Sequence, residues 1–115
     1  MGDLTRNFSR WEFACDHCGR LVGPDPGLVL ALQRLRDEVG RPLRIVSGYR
    51  CRFYNRAVGG KWFSQHLHGR AADIPGGYAN TDQCKRAGFV GVGLKRGQVV
   101  HVDMTPGRRW FTFIE

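Results

Sequence analysis

Nothing in this chain of 115 residues can cross a bilayer as a helix, because no run approaches the roughly 18 consecutive apolar residues needed. Membrane insertion is therefore not expected. No internal repeat, linker or low-complexity segment interrupts the chain, and at this length one domain over residues 1–115 is the expectation. Blocks of five or six like charges are also missing, which removes the usual signature of a nucleic-acid-binding tail. Of the four cysteines only Cys15 and Cys18 form a Cys-x-x-Cys pair, while Cys51 and Cys84 stand alone. Without a second pair a zinc ribbon is weakly supported, so thiols, a disulfide and a second metal all stay open for these residues.

What the chain does have is positive charge. Eighteen Lys and Arg against ten Asp and Glu give a formal net charge of +8 and a pI near 10.0. Such a surface attracts polyanions, among them nucleic acids, anionic lipids and acidic cell-wall polymers, without choosing between them. Since no recognisable nucleic-acid module accompanies the charge, no nucleic-acid partner is expected. The 42% hydrophobic content and 16 glycines fit a globular protein rich in turns.

Ser9 to Glu12 has capping-box spacing and predicts a short helical turn, anchored by Phe8, Trp11 and Phe13. Leu28, Leu32, Leu35 and Val39 recur at helical spacing, and Gly40 and Pro42 end that helix. Leu43 to Val46 reads as a short strand, residues 51–58 as a helix, Ala71 to Ile74 as a buried strand, and Thr81 to Ala87 as a second capped helix. Gly91 to Leu94 and Val99 to Met104 flank the turn Lys95-Arg-Gly97 and predict an antiparallel hairpin, followed by a last strand from Trp110 to Ile114. The expected class is α+β: a small antiparallel sheet with helices packed on one face.

Chemistry concentrates between Ser64 and Asp73, in Ser-Gln-His-Leu-His-Gly-Arg-Ala-Ala-Asp. His66 and Asp73 are ordinary zinc ligand types, and a catalytic zinc usually takes three protein ligands. A third can come from Val99-Val-His-Val-Asp-Met104, where strand alternation puts His101 and Asp103 on one face and Val100 and Val102 on the other. From that strand alone, a hydrogen-bonded His101 and Asp103 pair without metal is the simpler reading. His68 is expected to be a bystander, and Ser64 to hydrogen-bond within its loop.

Ser47-Gly-Tyr-Arg50, Ser64-x-His66-x-x-Gly69-x-Ala71-x-Asp73 and Val100-His101-Val-Asp103, in this order and spacing, closely resemble the zinc D-Ala-D-Ala carboxypeptidase family. The wider group includes lysostaphin-type and vancomycin-resistance D,D-dipeptidases and the Hedgehog signalling domain. The resemblance extends from about Phe8 to Trp110, through Asn55-x-x-Val-Gly-Gly60, Ala87-Gly-Phe89 and Gly91-Val-Gly93. It implies a Hedgehog/D-Ala-D-Ala peptidase-like fold, one catalytic Zn2+ held by His66, Asp73 and His101, and Arg50 as the cation near the substrate. It also implies hydrolysis of a D-amino-acid-containing peptidoglycan bond by zinc-activated water, with the stem peptide as substrate.

One departure stands out. Relatives place a glutamate or histidine two or three residues before the last zinc-binding histidine, whereas this chain has Val99 and Gln98. Neither can accept a proton, so Asp103 becomes the candidate base, with orientation of a ligand as its other role. A non-catalytic zinc-containing peptide- or wall-binding module is the alternative function. Trp110 is expected either to form a wall of the substrate cleft or to pack in the core. The N-terminal Met-Gly-Asp-Leu-Thr-Arg shows no secretory signal. The expectation is a monomer that is cytoplasmic, or phage-associated and released to the cell wall.

Overall fold

Leucines at three- and four-residue spacing build the longest element, helix α1 (Pro26–Val39), whose Leu28, Val29, Ala31, Leu32 and Leu35 are buried. Asp25 caps it by accepting the Leu28 N–H at 3.1 Å, Pro26 opens it, and Gly40 closes it in the left-handed region at φ 79°. The computed structural model describes residues 2–115, so Met1, the first residue of the expected domain, lies outside the described residues.

Helices α2 (Arg52–Ala57) and α3 (Thr81–Ala87) are short. In α3 a reciprocal cap supplies the local drive: Asn80 accepts the Gln83 N–H at 2.8 Å and the Gln83 side chain accepts the Asn80 N–H at 2.9 Å. Four strands, β1 (Ala71–Asp73), β2 (Gly91–Lys95), β3 (Gln98–Asp103) and β4 (Phe111–Ile114), form one sheet in the order β1-β3-β2-β4. The β2–β3 hairpin turns through Arg96 and Gly97, both at positive φ (54° and 76°), as a tight primed turn requires.

The sheet is mixed, which corrects the expectation of an antiparallel one. Pairs β1–β3 and β2–β3 are antiparallel, but β4 runs parallel to β2. The reason is topological. With both edges of β3 occupied, β4 adds on the outer edge of β2; it begins beside Gly91, where β3 has just ended opposite at Asp103, and so runs in the direction of β2.

One face of the sheet packs Ala72, Val92, Val99 and Val102 against Leu28, Leu32 and Leu35 of α1 and Cys84 and Ala87 of α3. That helical layer was expected, although α2 is not among the buried residues of this core and instead leads into the cleft on the other side. Among the described residues no helix is long and apolar enough to cross a membrane.

Three local expectations are corrected. Leu43 to Val46 is no strand: β1 is only three residues long, and just its Asp73 end reaches this segment, through a single bridge with Ser47. Trp11 is 78% exposed rather than an anchor, while Phe8 and Phe13 are buried as expected. In β3 a register shift sets Leu94 opposite Val99, leaving Val100 as an extra residue. Val99 and Val102 therefore enter the core, and Val100 is only partly buried.

Candidate metal centre

His66, Asp73 and His101 arrive from three different elements. His66 lies on a single 3-10 turn, Gln65–His68, whose cap is the Ser64 hydroxyl accepting the His66 N–H at 3.2 Å. Asp73 ends β1, and His101 stands directly opposite it on β3. Gly69 ends the turn at φ 68° and sits so close to the Val22 carbonyl that a β-carbon there would fall 2.0 Å from its oxygen. Glycine alone permits that passage from His66 into β1.

Three atoms converge in the resulting space. His66 Nε2 is 3.1 Å from Asp73 Oδ1 and 3.3 Å from His101 Nδ1, and His101 Nδ1 is 3.2 Å from Asp73 Oδ1. Ligands about 2.0 to 2.1 Å from a tetrahedral zinc ion lie about 3.3 Å from one another, so the trio has the spacing of one face of a zinc coordination shell.

The hydrogen bonds behind the trio reinforce this fit. His66 Nδ1–H donates to the Gly48 carbonyl at 2.6 Å, which leaves the Nε2 lone pair available to a metal ion. His101 Nε2–H donates to Asp103 Oδ2 at 2.8 Å, which leaves Nδ1. Two imidazole lone pairs and a carboxylate oxygen thus point at one another, an arrangement that repels unless a cation or proton sits among them. In the metal-free chain a proton takes that role. Burial opposes the charged form of His101, but Asp103 and Asp73 outweigh it and hold its pKa at about 9. Burial likewise tends to raise the Asp73 carboxyl, yet the hydrogen bond from His101 and the nearby charge of Arg50 hold it well below the usual carboxylate range.

Arg50 braces the carboxylate from the other side. Its guanidinium bonds Asp73 Oδ2, Ser47 Oγ at 3.1 Å and Asn55 Oδ1 at 3.3 Å, and its backbone N–H donates to the His66 carbonyl at 3.1 Å. Asp103 is only 2% exposed and is committed elsewhere, accepting from His101 and, through Oδ1, from the Thr105 hydroxyl at 2.6 Å and N–H at 3.1 Å. These bonds outweigh burial and keep its pKa low.

A cleft of about 650 Å³ opens over the trio, lined among others by Arg50, Lys61, Phe63, Arg108, Phe111 and Phe113. Trp110 is not part of its lining. It packs against the core with Lys85 of α3 over its ring at 5.8 Å, so the expectation of a cleft wall is corrected in favour of packing. Alternation explains the exchange, because Phe111 and Phe113 point to the site face, Phe113 meeting the His101 ring at 5.1 Å, and Trp110 points away. His68 is exposed and outside the trio, Gln98 is exposed, and Val99 is in the core. Sequence reasoning missed the Gly48 carbonyl, Asn55 and Thr105. Asn55 carried a signal, as a polar residue opening the Asn55-x-x-Val-Gly-Gly60 stretch, and Gly48 lies within the Ser47-Gly-Tyr-Arg50 motif; Thr105 carried none.

No curated protein matches the chain. A family model described as Peptidase M15 matches residues 1–103, nearly the whole sequence and all three converging residues. The chain belongs to this family, a peptidase family of the zinc D-Ala-D-Ala carboxypeptidase type.

Proposed function

We propose that this protein is a zinc-dependent peptidase that hydrolyses a D-amino-acid-containing peptide bond of peptidoglycan, as a D-Ala-D-Ala carboxypeptidase or a related wall endopeptidase, with His66, Asp73 and His101 holding one zinc ion. The observation that carries this reading is the triangle of ligand atoms at 3.1, 3.2 and 3.3 Å, with the other nitrogen of each imidazole already engaged. A zinc ion bound there supplies Lewis-acid polarisation of a peptide carbonyl and of water.

The chain's own residues do the rest. Arg50 keeps the Asp73 carboxylate in place, and its remaining N–H groups border the cleft, where they can bind a substrate carboxylate or a developing oxyanion. Lys61 and Arg108 extend the positive lining toward an acidic peptide. Of the two roles open to Asp103, its bonds support orienting His101 over accepting a proton from the attacking water.

The test is release of D-alanine or of shortened stem peptides from purified muropeptides, with and without a chelator. Cleavage that stops with the chelator and returns with zinc is expected; absence of metal-dependent cleavage of any wall peptide rejects the proposal. A second reading, a zinc-containing binding module without turnover, rests on two observations: Asp103 is occupied, and Val99 and Gln98 stand where a base was expected. One zinc bound at the cage, peptide binding and no turnover would select it.

A further inference from the structure

Cys51, which the sequence leaves isolated, comes to rest beside Cys15 and Cys18. The three sulfur atoms all lie within 4.8 Å of one another, although Cys51 is 36 residues from Cys15. Zinc-bound thiolates lie about 3.8 Å apart, so closing the trio around an ion requires movements of at most about 1 Å.

The local backbone is arranged for sulfur ligands. Cys15-Asp-His-Cys18-Gly19 folds back on itself, with the Cys15 N–H donating to the Arg20 carbonyl and the Gly19 N–H to the Cys15 carbonyl, both at 2.8 Å. Gly19 adopts φ 73° with nothing near the position of a β-carbon, so it is the backbone conformation that calls for glycine. The Cys51 N–H points at Cys15 Sγ at 3.5 Å, and the Tyr54 N–H points at Cys51 Sγ at 3.4 Å. Amide hydrogens aimed at sulfur favour thiolate, the form that binds metal. His17, on the same turn, places Nδ1 3.7 Å from Cys51 Sγ, close to the roughly 3.6 Å expected between nitrogen and sulfur ligands of one zinc ion. Its exposed ring stacks on Phe53 at 4.8 Å and can turn toward the trio. Cys84 offers the contrast of a fully buried core thiol, pushed up to about 12 chiefly by burial.

We propose that Cys15, Cys18 and Cys51, with His17 as fourth ligand, form a second, structural zinc site that staples the N-terminal turn to the loop behind the cage. Three sulfurs and an imidazole make a closed, soft donor set suited to zinc, and binding displaces three thiol protons. A disulfide would use two of the sulfurs and leave the third unexplained. The staple has a clear object. Cys51 directly follows Arg50, which braces Asp73, and the same loop supplies the Gly48 carbonyl that orients His66. Tyr49 N–H donates to the Phe13 carbonyl at 2.8 Å, so the N-terminal segment already leans on this loop. The site would hold that contact against thermal motion.

The experiment is metal analysis and cobalt substitution of the full chain, purified under reducing conditions without a histidine tag. Two zinc ions per chain are expected, and the cobalt form should show the near-ultraviolet charge-transfer band that only thiolate ligands produce. Cys18→Ser, at an exposed position, should lose one metal and the band; His66→Ala should lose one metal and keep it. His17→Gln should weaken cobalt binding at the sulfur site at least tenfold, and an unchanged affinity would remove the histidine from the ligand set. A wild-type chain with no thiolate band, or one in which mass analysis finds a disulfide between two of the three cysteines, would overturn the site. Because the band reports sulfur alone, its absence leaves the cage of His66, Asp73 and His101 untouched.

Discussion

In the proposed metal site, His101 is the residue on which protons and metal would compete. Its pKa of about 9 in the metal-free chain means that it is charged at neutral pH, and its Nδ1 must give up a proton before it can ligate. Apparent zinc affinity at the cage should therefore rise by up to about tenfold per pH unit from pH 7 to 9, measured by competition with a chelator of known affinity. Stability runs the other way in the stripped protein. A group whose folded pKa lies above its unfolded value of 6.5 stabilises fully below that value and loses its contribution as pH rises through about 9. The metal-free melting temperature should fall between pH 6.5 and 9, and a flat profile over that range would contradict the proton's place in the cage. Asp103 sets the other bond of His101. Asp103→Asn keeps an oxygen acceptor but removes the charge, and zinc affinity should drop roughly 10- to 100-fold while the fold persists. Loss of turnover with zinc affinity unchanged would instead return Asp103 to the role of base.

Among the elements, the loop from Ser47 to Cys51 bears on how the candidate ligands His66 and Asp73 stand. A β-carbon on Gly48 would lie 2.6 Å from Phe13 Cα and 2.8 Å from its carbonyl oxygen, a collision between backbones that no rotamer change relieves. Gly48→Ala should separate the loop from the N-terminal segment, costing about 1 to 3 kcal/mol of stability. It should also shift the Gly48 carbonyl that orients His66, lowering zinc affinity together with the melting temperature. Thermal melts with and without zinc check both effects. The short 3-10 turn and β1 are too small to be stable alone, so the cage depends on strands β1 and β3 aligning Asp73 with His101.

For the whole molecule, the charge of +8 and the cationic lining of the cleft would act together on the acidic wall peptide proposed as substrate. Arg108 lines the cleft, with its guanidinium 4.3 Å over the Phe111 ring, and makes no ion pair among the described residues. In the proposed wall peptidase, Arg108→Glu should raise KM several-fold and change kcat little, and the wild-type advantage should shrink as salt is added. An effect confined to kcat would place Arg108 in the chemistry instead of in capture.

Local signals were legible because they depend on near neighbours. The 3.6-residue spacing of Leu28, Leu32 and Leu35, the Asn80 cap and the hairpin through Arg96 and Gly97 all follow from short stretches of chain. Three motifs in register were also enough to single out His66, Asp73 and His101 as a set. The direction of β4, the bulge at Val100, the burial of Trp110 away from the cleft and the union of Cys51 with Cys15 and Cys18 were not legible. Each depends on which edge of a sheet is free or on which distant segments touch, and no local spacing encodes that. The sequence by itself determined the candidate ligand types and their order; only the tertiary structure decided which lone pairs meet, because that requires the Gly48 carbonyl and the Asp103 carboxylate, 55 residues apart, to fix both imidazoles toward one point.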